Sequence, residues 1–213
     1  MKKNFYLIFI ASIILTSCLS TNTSNNTFST SAKTQINNMI ISTDEFAGVQ
    51  TAVHKDIYMD FTSSAYTLYF EPFFVYTEDN INFYLKIQFE YFGNDIVIPQ
   101  RIILLSNTGK AIINITATPE IGENKLGSGS ILGRRNIITS REKISQEDYL
   151  KLSEFFETNK EVRLALYTSN NKAQELKEYT PRAHTIFADC YSYYKNNLQS
   201  KKDTETVDYI IFQ

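Results

Sequence analysis

Between Ile81 and Tyr91 every odd-numbered residue is aliphatic or aromatic (Ile81, Phe83, Leu85, Ile87, Phe89 and Tyr91), while Asn82, Tyr84, Lys86, Gln88 and Glu90 hold the even positions. Side chains alternate between the two sides of a strand, so this pattern fits a β-strand with one face in a core and the other wetted; a helix would scatter the same residues around its axis. The run Tyr66 to Thr77 precedes it across Glu78-Asp79-Asn80, residue types that favour turns, and the pair reads as an antiparallel hairpin. In that register Leu85 and Ile87 are core positions, and Lys86 is a wetted one whose replacement should change little.

Further strands follow. Ile96 to Ile98 and Arg101 to Leu105 are separated by Pro99, which breaks the ladder and implies an edge, a bulge or two short strands. Asn107-Thr108-Gly109 turns the chain into Lys110 to Thr118, with Ala111, Ile113, Ile115 and Ala117 on one side. Later the period changes. Ser145 before Gln146-Glu147-Asp148 supplies a helix cap and an acidic first turn, and Tyr149, Leu152, Phe155 and Phe156 recur at helical spacing up to about Asn159. A strand from Glu161 to Thr168 and a turn at Ser169-Asn170-Asn171 come next. Pro181 then stands where a second helix starts, and Ala183, Phe187, Cys190, Tyr194 and Leu198 trace one of its faces. Val207 to Phe212 is expected as a last strand. Segregated strands and helices of this kind predict an α+β fold: an antiparallel sheet or small β-sandwich covered by two helices near the C-terminus.

The N-terminus obeys another logic. Met1-Lys2-Lys3 and an apolar run from Phe5 to Leu15 form a cationic start and a core too short for a permanent membrane span. From Leu19 to about Gln35 the chain is nearly all Ser, Thr and Asn, which can bury little and is expected to be a flexible tether. The expected organisation is a signal segment over 1–17, a tether over 18–35 and a single globular domain over 36–213. Without Lys2 and Lys3 the formal charge goes from −2 to −4, which offers no basic footprint for nucleic acid.

Leu15-Thr16-Ser17-Cys18 directly after the apolar run resembles the lipobox of bacterial lipoprotein precursors. That resemblance implies cleavage before Cys18, a thioether-linked diacylglycerol on its sulfur and an acyl chain on its new amino group. Two or three chains hold a protein on a membrane stably, since each buried methylene contributes about 0.8 kcal/mol. Leu19 in place of an Asp leans toward the outer membrane of a diderm envelope by the sorting pattern of such lipoproteins. If Cys18 is acylated, Cys190 has no partner for an intramolecular disulfide and reads as a small buried hydrophobe.

Catalytic motifs are sparse. His54 and His184 are the only histidines, and His54 with Asp56 and Asp60 nearby falls short of a metal-ligand pattern, so neither metal nor cofactor is expected. His184 and Cys190 lie six residues apart, about 120° around a helix, which argues against a dyad. Ser-x-x-Lys occurs at Ser140, Ser169 and Ser192 without its companion motifs, and no Gly-x-Ser-x-Gly elbow is present. The glycine-rich stretch from Ile121 to Arg135 lacks the Gly-Lys-Ser/Thr ending of a phosphate loop and reads as a flexible connection; Arg134 and Arg135 are candidate contacts for an anionic ligand or lipid surface.

Tyr69 and Phe73 are the candidate partner contact. Tyr66 to Tyr76 carries apolar residues on both parities, so either both faces are buried or Tyr69 and Phe73 form an exposed patch beside an edge at Pro72, suited to an envelope protein or glycan. The function expected from these features is a lipid-anchored, non-catalytic binding or scaffolding module of the cell envelope. The alternative is an envelope hydrolase whose carboxylates meet only in the fold.

Overall fold

The computed structural model describes residues 32–56, 59–63, 66–93, 95–124, 135–169, 173–178, 182–204 and 210–213. The strands in chain order are β1 (Ala32–Ile36), β2 (Met39–Asp44), β3 (Val49–His54), β4 (Met59–Thr62), β5 (Tyr66–Tyr76), β6 (Asn80–Phe92), β7 (Pro99–Leu105), β8 (Lys110–Asn114), β9 (Glu120–Asn124) and β10 (Arg135–Ile144). Helix α1 (Gln146–Thr158), β11 (Arg163–Thr168), β12 (Ala173–Glu178), helix α2 (Ala183–Asn197), β13 (Lys202–Asp203) and β14 (Ile210–Phe212) complete the order. The signal segment, Cys18, Arg134 with the glycines at 127, 129 and 133, the turn at Asn170-Asn171 and Pro181 lie outside the described residues.

One sheet of 14 strands is built around the β5/β6 hairpin, which pairs without interruption from Tyr66↔Tyr91 to Tyr76↔Ile81. The alternation read from the sequence holds: Ile81, Phe83, Leu85, Ile87, Phe89 and Tyr91 are all buried. Along its other side β5 meets two different strands. Thr67 to Phe70 pair with β4, and Phe73 to Tyr76 pair with β3, so Glu71 and Pro72 have no strand partner on that side. A residue without an N–H is best tolerated where the ladder is interrupted. The expected edge at Pro72 is thus corrected: β5 is an interior strand, flanked on both sides, with a gap of those two residues.

From this split one arm runs β3-β2-β1 and the other β4-β12-β11-β7-β8-β14, while β6 continues the sheet through β10 to β9. All pairings are antiparallel except the short contact of β13 with β6. Ile121 and Gly122, expected in a flexible connection, belong to β9 and pair with Ile138 and Ile137 of β10. Ala32 to Gln35, expected in the tether, belong to β1. Pro99 opens β7 opposite Thr168, where the register with β11 shifts, and Ile96 to Ile98 form no strand.

Both helices pack on the same face of the sheet. Phe74 meets Tyr149 of α1 edge-on at 5.2 Å, Phe83 lies 5.1 Å from the same ring, and Phe156 of α1 stacks on Phe187 of α2 at 4.4 Å. Each such ring, fully buried, contributes about 1.5–3 kcal/mol through removal from water. Ser145 caps α1 as its sequence implied, accepting from the Asp148 N–H at 3.0 Å. The face expected on α2 is the buried one, with Ala183, Phe187, Cys190, Tyr194 and Leu198 all in the core.

Turns place β1 beside α2. Asn37 takes a positive φ of 53° in the two-residue turn between β1 and β2, a conformation asparagine tolerates better than most residues. Its neighbour Asn38 reaches across and donates to Asp189 Oδ2 of α2 at 2.7 Å.

Candidate functional site

Tyr69 and Phe73 point to the face of β5 opposite the helices. Both are half-buried. Phe73 stacks on Tyr84, its cross-strand partner, with ring centres 5.0 Å apart and planes 15° from parallel. Neither α1 nor α2 covers this face, yet long side chains laid over one another shield it partly from water. Glu71 illustrates the result: it is 5 % exposed, with Lys86 Nζ 3.6 Å from its Oε2. Burial pushes the Glu71 carboxyl above its usual range, while Lys86 and then His54 pull it down.

Arg135 starts β10 beside Glu90. Its Nε donates to Glu90 Oε2 at 3.2 Å, its Nη2 makes a second contact with the same oxygen, and Gln88 Nε2 donates to the other at 2.7 Å. The Arg135 charge is met inside the protein, and the Glu90 hydrogen bond and charge strengthen its hold on its proton.

His54 is buried and fully engaged. Its Nδ1 lies 3.1 Å from the Asp56 N–H and 3.2 Å from the Asp56 carbonyl oxygen, and its Nε2 lies 3.0 Å from Asp189 Oδ2. Cys190 is buried on the next residue of α2, with Met39 Sδ 3.9 Å from its sulfur, and burial pushes its thiol far up. His184 is half-exposed beside Thr185, separate from that pocket as the helical angle implied. Among the described residues no group of three or more His, Cys, Asp or Glu is arranged to hold a metal ion.

Two surface grooves differ in charge. The larger, about 390 Å³, runs along α1 and is lined by Glu147, Lys151, Glu154 and Glu157 with Tyr191 of α2. Its carboxylates are exposed, and Lys151, at 2.6 Å, holds the Glu147 carboxyl below its usual range by hydrogen bond and charge. A general acid needs the opposite shift, so this stripe has the character of a solvated helix face.

The second groove, about 330 Å³, opens between the β1-β2-β3 arm and the C-terminal end of α2. Ile36, Ile41 and Leu198 give it an apolar wall, Thr34, Thr43 and Gln50 line the sheet side, and Asn197 lies on the helix side. Tyr76 at the end of β5 and Tyr193 of α2 also line it, and their hydroxyl oxygens are 2.9 Å apart. Burial, then the Tyr76 hydroxyl, raise Tyr193 well above the usual phenol range, so it stays protonated. Lys201 completes the groove, its Nζ 5.5 Å from the centre of the Tyr76 ring and donating to the carbonyls of Thr77 at 2.7 Å and Glu78 at 2.6 Å. Among the described residues no carboxylate lines this groove.

Sequence reasoning placed Tyr76 in the β5 run but did not single out Tyr193. Tyr193 adjoins Tyr194 on the buried side of α2, and a buried phenol needs a hydrogen-bond partner, which was the available signal. With this geometry in view, no protein family, curated protein or solved structure was found to match the chain.

Proposed function

We propose that this protein is a lipid-anchored, non-catalytic binding module of the cell envelope, tethered through Cys18 and taking its ligand in the groove between the β1-β2-β3 arm and α2. In fold terms we read it as an α+β domain whose sheet is covered on one face by the two helices. The observation that carries the binding reading is the groove's make-up among the described residues: an apolar wall, Thr34, Thr43, Gln50 and Asn197, a buried pair of phenols and one lysine, with no carboxylate. A concave site that sets convergent polar groups beside an apolar wall is suited to hold a small ligand. Three of the four buried carboxylates among the described residues support a non-catalytic role, because Glu71, Glu90 and Glu142 each face a cation or a set of hydrogen-bond donors; the fourth, Asp148, accepts from the Ile210 N–H at 3.1 Å. The anchor rests on Leu15-Thr16-Ser17-Cys18, and Leu19 after it favours the outer membrane in a diderm host. Tyr69 and Phe73 remain a secondary surface for an envelope protein or glycan.

Mass spectrometry of the mature N-terminus tests the anchor. An acylated Cys18 is expected, and Cys18→Ala should move the protein from the detergent-extracted membrane fraction to a soluble or unprocessed form. An unmodified N-terminus elsewhere in the chain would overturn the anchoring half of the proposal.

A further inference from the structure

The phenols of Tyr76 and Tyr193 contain more donors than the protein uses. Each hydroxyl carries one hydrogen and accepts through its oxygen, so a bond between the two consumes one hydrogen and leaves the other without an acceptor. Among the described residues the pair has no further hydrogen-bond partner, although Tyr76 is 5 % exposed and Tyr193 4 %. A donor this buried loses free energy unless something supplies an acceptor. The Lys201 ammonium has three hydrogens, of which two go to the carbonyls of Thr77 and Glu78. The groove therefore offers a neutral donor and a positive charge beside an apolar wall.

Resting on the reading of this groove as the binding site, we infer that its ligand is a small organic acid: a carboxylate that accepts from the spare phenol hydrogen and faces Lys201, on a short apolar body lying along Ile36, Ile41 and Leu198. Charge complementarity supports an acid over an amine, because among the described residues the groove is lined by a lysine and no carboxylate, in a chain whose net charge is −2. The groove along α1, with its three glutamates, has the reverse character. A volume of about 330 Å³ suits a compact molecule.

The test titrates the full chain in lipid nanodiscs with hexanoate and, separately, with uncharged hexanamide, following the ¹³Cζ resonances of labelled tyrosine. Hexanoate should shift Tyr76 and Tyr193 saturably and bind at least about 10-fold more tightly than hexanamide, as expected for hydrogen bonds made to a charged group. Lys201→Gln, which keeps a donor for the turn carbonyls, and the double variant Tyr76→Phe with Tyr193→Phe, whose affinities are read by calorimetry because it lacks the reporter rings, should each abolish that preference while the melting temperature stays close to wild type. Equal affinities for the two compounds at these tyrosines would overturn the acid assignment and leave the binding groove standing. No shift at either tyrosine with either compound would overturn the groove as a site. A hexanoate preference that survives in the double variant would remove the phenols from the proposal.

Discussion

The Glu142 carboxylate of β10 lies under the backbone that leaves β8, with its Oε2 3.0 Å from the N–H of Ala117. The same oxygen accepts from the N–H of Thr116 at 2.9 Å and its hydroxyl at 3.0 Å, and Ser140 donates to Oε1. β8 and β10 do not pair with each other, so a single buried side chain joins two branches of the sheet. Glu142→Ala is expected to destabilise the protein by about 3 kcal/mol, since hydrogen bonds to a charged group contribute about 1.5–3 kcal/mol each and the bonds from Thr116 and Ala117 are only partly buried. Glu142→Gln keeps the shape and one acceptor and should fall between. Denaturant melts measure the loss, and hydrogen exchange should show the Thr116 and Ala117 amides losing protection. An alanine variant within about 0.5 kcal/mol of wild type, as for an ordinary surface change, would contradict this role.

Lys86, 3.6 Å from the buried Glu71, is expected to matter more than its wetted position in the alternating strand implies. It faces Glu71, whose carboxyl is raised by burial and pulled back first by Lys86. A carboxyl raised on folding holds its proton more tightly in the native state. Its effect is therefore a stability that is greater at low pH and falls as pH rises from the ordinary carboxylate value through the raised one. Lys86→Met removes the main opposing charge and should extend that fall upward, so the variant's stability relative to wild type declines as pH rises above the ordinary carboxylate value. Urea melts across that range measure it, and parallel pH profiles would show that Lys86 does not govern Glu71. Leu85→Ala, on the buried parity, should cost about 2–5 kcal/mol at any pH.

The sequence carried the β5/β6 hairpin, because period-two alternation needs no distant information. It also carried α1 and α2, through the Ser145 cap and the spacing of Phe187, Cys190 and Tyr194. The strands it did not foresee include β1, β2, β3, β4, β9, β10 and β13; a short one such as β4 borrows its order from neighbours already in the sheet, as with Phe61 and Thr62 against Glu178 and Lys177. The groove was out of reach for a stronger reason. Thr34, Tyr76 and Asn197 come together only because the split at Glu71 and Pro72 sends β3, β2 and β1 toward α2, and none of them belongs to a motif. Glu142 did leave a trace, being a carboxylate on the buried parity between Ile138 and Ile144.

Phe73 and Tyr84 should behave as a coupled pair. Their stacking on the face away from the helices is worth about 0.5–1.5 kcal/mol beyond the area each buries. A double-mutant cycle with Phe73→Ala and Tyr84→Ala should return a coupling of that size, whereas additive losses would mean that each ring packs independently. Tyr69→Ala with Phe73→Ala is accordingly expected to lower the melting temperature moderately. A large drop would assign both rings to the core and withdraw them as a contact surface.

Cys190 should be silent toward thiol reagents until the protein unfolds. Its side chain is fully buried, its sulfur faces Met39, and burial, with Asp189 and Glu71 adding to it, disfavours the thiolate that such reagents attack. In a Cys18→Ser background Cys190 is the sole cysteine, so an aromatic disulfide reagent reports on it alone. Labelling is expected to be negligible in buffer and complete in denaturant, with the native rate rising in step with destabilising substitutions such as Leu85→Ala. That proportionality identifies exposure by opening of the core. Fast labelling of the native protein, independent of stability, would instead mean that α2 parts locally from β2 and β3 and that Cys190 is reached without unfolding.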